Sequence, residues 1–171
     1  YSALNSMNLF EICHSLGRQF GPENWTLYKG RHLLTFLDNH DVNRIASTIT
    51  NENHLPLAYA LAFGMPGIPC VYYGSEWGSK GVKNYNDTSL RPSFEKPEWN
   101  ALTDWITKLT EVKKNEKALN YGDYHQVLLT NRQCIFERTY QGERVLVVVN
   151  ADTQEYEARF NMNAQLYDLI E

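Results

Sequence analysis

At 171 residues, with 43 % hydrophobic and 21 % charged side chains, the chain has enough apolar material for one ordinary core and too little charge for a disordered segment. A formal charge of −4 at pH 7 removes the attraction to phosphate on which nucleic-acid and anionic-membrane binders rely, so neither partner is expected. Cys13, Cys70 and Cys134 are odd in number, far apart and free of any Cys-x-x-Cys pair, and read as buried thiols, not as a zinc site or disulfide framework.

Leu4, Met7, Phe10, Ile12, Cys13, Leu16 and Phe20 recur at near-helical spacing before the stop Gly21-Pro22. Residues 33–37 read as a strand. Residues 51–63 read as a helix with Pro56 in its first turn, where a missing N–H is tolerated, and Gly64 as its C-terminal cap. Residues 68–73 follow as a fully buried strand, and residues 97–114 as an amphipathic helix with Trp99, Leu102, Trp105, Ile106 and Leu109 inward. The uncharged stretch 55–73 is nearly long enough to span a bilayer, but its three prolines and two glycines divide it into a short helix and a short strand. This alternation is that of a parallel α/β sheet. From Tyr121 the period changes to two, giving expected strands at 126–130, 134–140, 144–150, 156–160 and 165–170, with Gln141-Gly142-Glu143 as a hairpin turn. A domain boundary is expected near residues 119–122. The chain opens at Tyr1 without a targeting segment, which reads as an internal cut and leaves compartment unspecified.

The run from Leu33 to Arg44 carries the chemistry, because an apolar strand ends abruptly in Asp38-Asn39-His40-Asp41. In a parallel α/β fold, polar residues released at strand C-termini build the active site. The competing reading is that Asp41 only caps the helix that follows. Arg44 either orients Asp41, or pairs with a nucleophile absent from this chain, or forms a surface or interdomain salt bridge. Tyr72, Tyr73 and Trp77 offer flat faces on which a ligand could stack, but the first two fall within the expected buried strand, which favours packing. Glu76 reads as a partner holding the loop in preference to a catalytic acid. Asp87 and Arg91 read as a loop ion pair, beside a substrate cleft or merely stabilising. His14, His32, His54 and His125 are isolated and show no metal spacing.

Phe36-Leu37-Asp38-Asn39-His40-Asp41 followed by Arg44 resembles the end of the seventh barrel strand in the α-amylase family of glycoside hydrolases. Residues 64–78 resemble that family's glycine-rich eighth strand and its loop, and residues 87–94, with Arg91, resemble a segment of its cyclomaltodextrinase-like and neopullulanase-like members. The resemblance runs from about Asn5 to the end of the chain. It implies an α/β plus β fold: the seventh and eighth βα units of a (β/α)8 barrel over residues 1–120, then part of an antiparallel β-sandwich domain over 121–171. It also implies retaining cleavage of α-1,4-glucosidic bonds in α-glucans or malto-oligosaccharides. His40 and Asp41 would be the catalytic pair that hydrogen-bonds the sugar beside the scissile bond, with Arg44, Asp87 and Arg91 on the substrate side.

Retaining hydrolysis needs two carboxyl groups about 5–5.5 Å apart, one a nucleophile and one an acid/base. In the family these leave earlier strands, in motifs this chain does not contain, so the chain alone is expected to be inactive. No cofactor is evident. Calcium accompanies many family members through ligands elsewhere in the chain, and no acidic spacing of a dedicated calcium loop occurs here. The alternatives are an α-glucanotransferase of the same family and a non-catalytic amylase-like module, against which His40-Asp41 argues. A stand-alone carbohydrate-binding module would need an aromatic platform, and Tyr121, Tyr124, Tyr140, Tyr156 and Tyr167 are scattered. Two βα units cannot close a barrel, so self-association through exposed strand edges is expected.

Overall fold

A computed structural model describes residues 1–85 and 87–170; Glu171, the last residue of the expected second unit, lies outside them. Helices α1 (Ser2–Asn5) and α2 (Phe10–Phe20) lead to strand β1 (Leu34–Phe36), helix α3 (Ile45–Thr48), helix α4 (Leu55–Gly64) and strand β2 (Ile68–Cys70). Helices α5 (Ala101–Asn115) and α6 (Lys117–Tyr121) precede strands β3 (Asp123–Leu129), β4 (Gln133–Tyr140) and β5 (Glu143–Asn150). β1 and β2 pair in parallel, Leu34 opposite Ile68 and Phe36 opposite Cys70, while β3-β4-β5 form an antiparallel sheet.

Each element follows from its residues, with corrections. The first expected helix is two, because Met7 takes a positive φ of 52° that ends α1, and Leu9 donates its N–H to Asn131 instead of continuing a helix. Gly64 is the last helical residue of α4 and not its cap, which is Met65. Its missing Cβ matters for packing: a Cβ there would lie 2.7 Å from a methyl of Val147 in β5. Gly67 has φ 122°, and a Cβ there would meet the Leu33 carbonyl oxygen at 2.7 Å, so only glycine lets β2 start this close to β1. α5 starts at Ala101, not 97, because Asn100 builds a capping box: its Oδ1 accepts from the N–H groups of Leu102 and Thr103, and Thr103 Oγ1 accepts from the Asn100 N–H. Trp99 therefore stands outside the helix, exposed, donating to Asp104 at 2.7 Å, where the helical period places it inward. Trp105, Leu102, Ile106 and Leu109 do face the core side.

The Gln141-Gly142 turn is a two-residue hairpin with both φ positive, as expected for a primed turn. The expected strands at 156–160 and 165–170 do not form; among the described residues no strand follows β5. Their alternating pattern is real, but no neighbouring strand offers a ladder, and Tyr156, Leu166, Tyr167 and Leu169 lie exposed. The main core gathers Leu9, Cys13, Leu16, Ile45, Ala58, Tyr59, Leu61, Ile106, Tyr124, Phe136 and Val149, drawing on both halves of the chain. Cys13 and Cys134 are buried as expected, but Cys70 is exposed, because β2 presents Ile68 and Cys70 to an uncovered face.

Two cations are buried in the seam between α4, α5, α6 and the sheet. Arg138 donates to the Gly64 and Gly122 carbonyls at 3.0 and 2.8 Å, and Lys113, 6 % exposed, donates to the Leu119 and Met65 carbonyls at 2.9 and 3.4 Å. Burial, with Arg138 as a like charge nearby, pushes the Lys113 ammonium down to about 7. The unfolded chain holds this proton up to its ordinary pKa of about 10.4. Between those values the unfolded state binds more protons, so stability rises as pH rises. Urea unfolding should therefore give a higher midpoint at pH 9 than at pH 7, and Lys113→Met should remove most of that difference.

Candidate active site at the strand ends

Because β1 and β2 run parallel, the loops leaving them, residues 37–44 and 71–78, emerge at the same edge. His40 and Asp41 stand at this edge, half-exposed, with His40 Nε2 3.2 Å from Asp41 Oδ2. The Asp41 N–H donates to Asn39 Oδ1 at 2.8 Å, fixing the turn that presents the pair. Arg91 Nη2 lies 3.5 Å from Asp41 Oδ1, and Lys83 Nζ donates to the Asp41 carbonyl at 3.0 Å. At 59 % exposure the Asp41 side chain is open to solvent, so these ion pairs are screened and add little stability.

The capping role goes to a different acid. Asp38, buried, accepts from the Ile45 N–H at 2.7 Å, at the start of α3, so Asp41 is not the cap. The Asp38 carboxylate also accepts from the Ser75 hydroxyl at 2.8–2.9 Å. Arg44, 0 % exposed, donates to the Tyr73 carbonyl at 2.6 Å, to Ser75 Oγ at 3.0 Å and to the Leu90 carbonyl at 2.9 Å. Its guanidinium lies 4.2 Å from the Tyr72 ring centroid. Arg44 therefore neither touches Asp41 nor forms a surface salt bridge; it sits beneath the site. Arg91, in turn, pairs with Asp41 and not with Asp87, which takes φ 56° before a 3-10 turn at Thr88–Leu90.

Tyr72 and Tyr73 lie beyond β2, which ends at Cys70, and so are not buried in a strand. Tyr73 and Trp77 pack edge-on against Phe94, at 5.8 and 5.2 Å between centroids, while Tyr72 lies 6.3 Å from the His40 ring. Glu76 sits in a 3-10 turn (Ser75–Trp77) whose carbonyls are held from α5: Thr103 Oγ1 donates to Glu76 O, and Asn100 Nδ2 to Trp77 O. Its Oε2 is buried and has no hydrogen-bond partner. Tyr59 of α4 donates to the Ser75 carbonyl at 2.9 Å; burial, with the Asp38 and Glu76 charges, holds its phenol well above the ordinary range. Of these, sequence reading misses Ser75, Tyr59 and the burial of Asp38. Ser75 carries no pattern, whereas Asp38 is a carboxylate directly after an apolar strand. Among the described residues no three His, Cys, Asp or Glu side chains converge.

The catalytic-domain model of the α-amylase family matches residues 22–133, more than half of the chain. The chain belongs to the α-amylase family. It is 30 % identical over 133 residues to a cyclomaltodextrin glucanotransferase of Bacillus licheniformis, covering 78 % of this chain and 18 % of that protein. It is 29 % identical over 139 residues to an α-amylase of Niallia circulans, covering 81 % and 26 %. The crystal structure of an Anoxybacillus α-amylase superposes with a TM-score of 0.68 at 25 % identity, covering 90 % of this chain and 34 % of that one. The fold is accordingly a partial barrel of this amylase-family chain plus a sheet. The chain spans 18 % and 26 % of the length of those two curated relatives.

The buried position of Arg44 gives a direct test. A lysine there cannot serve the Tyr73, Ser75 and Leu90 oxygens at once, and Arg44→Lys should lower unfolding free energy by about 2–4 kcal/mol. A surface salt bridge would give within about 0.5 kcal/mol. Urea denaturation distinguishes the two.

Proposed function

We propose that this chain carries the transition-state-stabilising part of a retaining α-glucan-cleaving site, on the seventh and eighth βα units of the barrel. The observation that supports this is the division of labour among the carboxylates of the two strand-end loops. Asp41 is exposed beside His40, whereas Asp38 is buried and engaged and Glu76 turns an oxygen inward. An exposed carboxylate can accept hydrogen bonds from two adjacent sugar hydroxyls, and these strengthen as positive charge develops on the ring. The imidazole of His40 donates to a neighbouring hydroxyl oxygen. Neither Asp38 nor Glu76 is presented for attack on an anomeric carbon or for proton transfer to a leaving oxygen, so nucleophile and acid/base come from outside these residues. Arg91 lies against Asp41 on the open side and takes the substrate-side position with it, while Asp87 shapes the turn beside it.

Transfer to a sugar acceptor is a second reading, favoured by the cyclomaltodextrin glucanotransferases among the relatives. The two share every step up to the glycosyl-enzyme intermediate and differ in whether water or a sugar hydroxyl attacks it. A non-catalytic module is disfavoured by the exposed His40-Asp41 pair. The substrate class is an α-1,4-linked glucan or malto-oligosaccharide.

The test is reducing-sugar release from maltoheptaose by the purified chain beside Asp41→Ala. No release from either is expected, together with weak maltoheptaose binding that Asp41→Ala abolishes. Release that disappears in Asp41→Ala would place the bond-breaking acids within these residues and overturn the assignment. The uncovered strand face, with Leu34 68 % and Ile68 51 % exposed, further predicts self-association of the chain, and sedimentation as a compact monomer would refute it.

A further inference from the structure

Only three residue pairs join β1 to β2, and both functional loops hang from the ends of that short ladder. What fixes one loop against the other beyond it is side-chain chemistry, and Ser75 Oγ stands at its centre. That oxygen accepts from Arg44 Nη1 at 3.0 Å and donates to the Asp38 carboxylate at 2.8–2.9 Å. Arg44 and Asp38 both belong to the loop after β1, and Ser75 to the loop after β2. One hydroxyl, buried to 1 % exposure, thus bridges a buried cation and a buried anion that make no direct ion pair. A hydroxyl is suited to this because one atom is both donor and acceptor.

We propose that Ser75 is a positioning residue for the His40–Asp41 pair, setting its place relative to Tyr72 through the Arg44–Ser75–Asp38 bridge; the ligand side of this inference rests on the glucan reading above. The arms are short. Asp41 is three residues beyond Asp38 and is tied back through Asn39 Oδ1; Tyr72 is three residues before Ser75, its carbonyl accepting from the Ser75 N–H at 3.0 Å, and its ring lies against Arg44. Displacement at the bridge therefore reaches both the carboxylate and the aromatic ring. Other supports of the same elements do not pass through the hydroxyl: Ile45 N–H still reaches Asp38, Arg44 still reaches the Tyr73 and Leu90 carbonyls, and Tyr59 still holds the Ser75 carbonyl. Deleting the hydroxyl cuts the link from Asp38 to the second loop and takes one of Arg44's bonds to it, while the Arg44–Tyr73 bond and the rest of the fold keep their own partners.

The experiment follows wild type, Ser75→Ala, Ser75→Thr and Asp38→Asn by NMR, with and without maltoheptaose. Without ligand, Ser75→Ala should raise amide exchange at Asp41 and Tyr72 about tenfold while leaving the amides of β4 unchanged. With ligand, affinity read at the His40 ring and the Asp41 amide should fall about tenfold, the scale on which loss of an outer hydrogen bond loosens a site. Ser75→Thr, which keeps the hydroxyl, should restore both readouts to within about twofold of wild type. Asp38→Asn, close in shape, should behave like Ser75→Ala and serves if threonine does not fit. Unchanged exchange at Asp41 and Tyr72 in Ser75→Ala would overturn the positioning role, as would affinity equal to wild type. Absence of any maltoheptaose-induced shift in wild type would instead sink the glucan reading, with the exchange data still deciding the role of Ser75.

Discussion

Taking the Arg44 guanidinium fully out of water costs several kcal/mol unless its donors and its charge are both answered. Here the answer comes from three directions. The Tyr73 carbonyl and Ser75 hydroxyl belong to the loop after β2, the Leu90 carbonyl to the segment beyond it, and the Tyr72 ring lies against the planar cation. Each partner is held at a place the charge dictates. The backbone N–H of Arg44 also donates to the Gly81 carbonyl, so the same residue folds the later loop back over α3. With Asp38 and the two terminal nitrogens of Arg44 engaged below, His40 and Asp41 stand half-exposed above them, Asp41 with Arg91 beside it.

Two further cations at the C-terminal end of α4 meet a similar problem, again with no acid bonded to the cation. The terminal nitrogens of Arg138 and the Lys113 ammonium donate to carbonyls at the C-terminal ends of α4 and α6, where unpaired oxygens and the helix dipole favour positive charge, while Arg138 Nε is buried without a partner. Those carbonyls belong to Gly64, Met65, Leu119 and Gly122, so the two cations join the βα layer to the sheet at the points where its helices end. The core continues across that seam through Phe63, Leu109, Phe136 and Val149. Site and sheet are thus mechanically connected through α4, which gives Gly64 to Arg138 at one end and Tyr59 to Ser75 from its middle.

The strand ends and the polar cluster after them are readable in the sequence because a parallel strand must change from apolar to polar where it leaves the sheet, and that change is abrupt at Asp38. The helices are readable from their periodicity, though their starts are not: Asn100 moves the beginning of α5, and Met7 divides the first helix, through local backbone geometry that periodicity does not encode. Partners are the least legible. Nothing about Arg44 as a residue type distinguishes a surface ion pair from a buried cation, because the difference lies in Ser75 and Leu90, which are 31 and 46 residues away. The two missing C-terminal strands fail for a related reason, since alternation supplies a face but never a neighbour to pair with.

The two sheets differ in how far apart their partners lie along the chain. β4 and β5 meet through a two-residue turn, whereas Leu34 reaches Ile68 only after the intervening α3 and α4 have been gathered in. Closing the longer loop costs more chain entropy before any contact rewards it, and the ladder it gains is three residues long. Contact order therefore predicts that the antiparallel sheet assembles before the parallel pair, and that the edge carrying His40 and Asp41 opens more readily than β4 and β5. Native-state hydrogen exchange slower at residues 34–36 than at 134–149 would contradict that order.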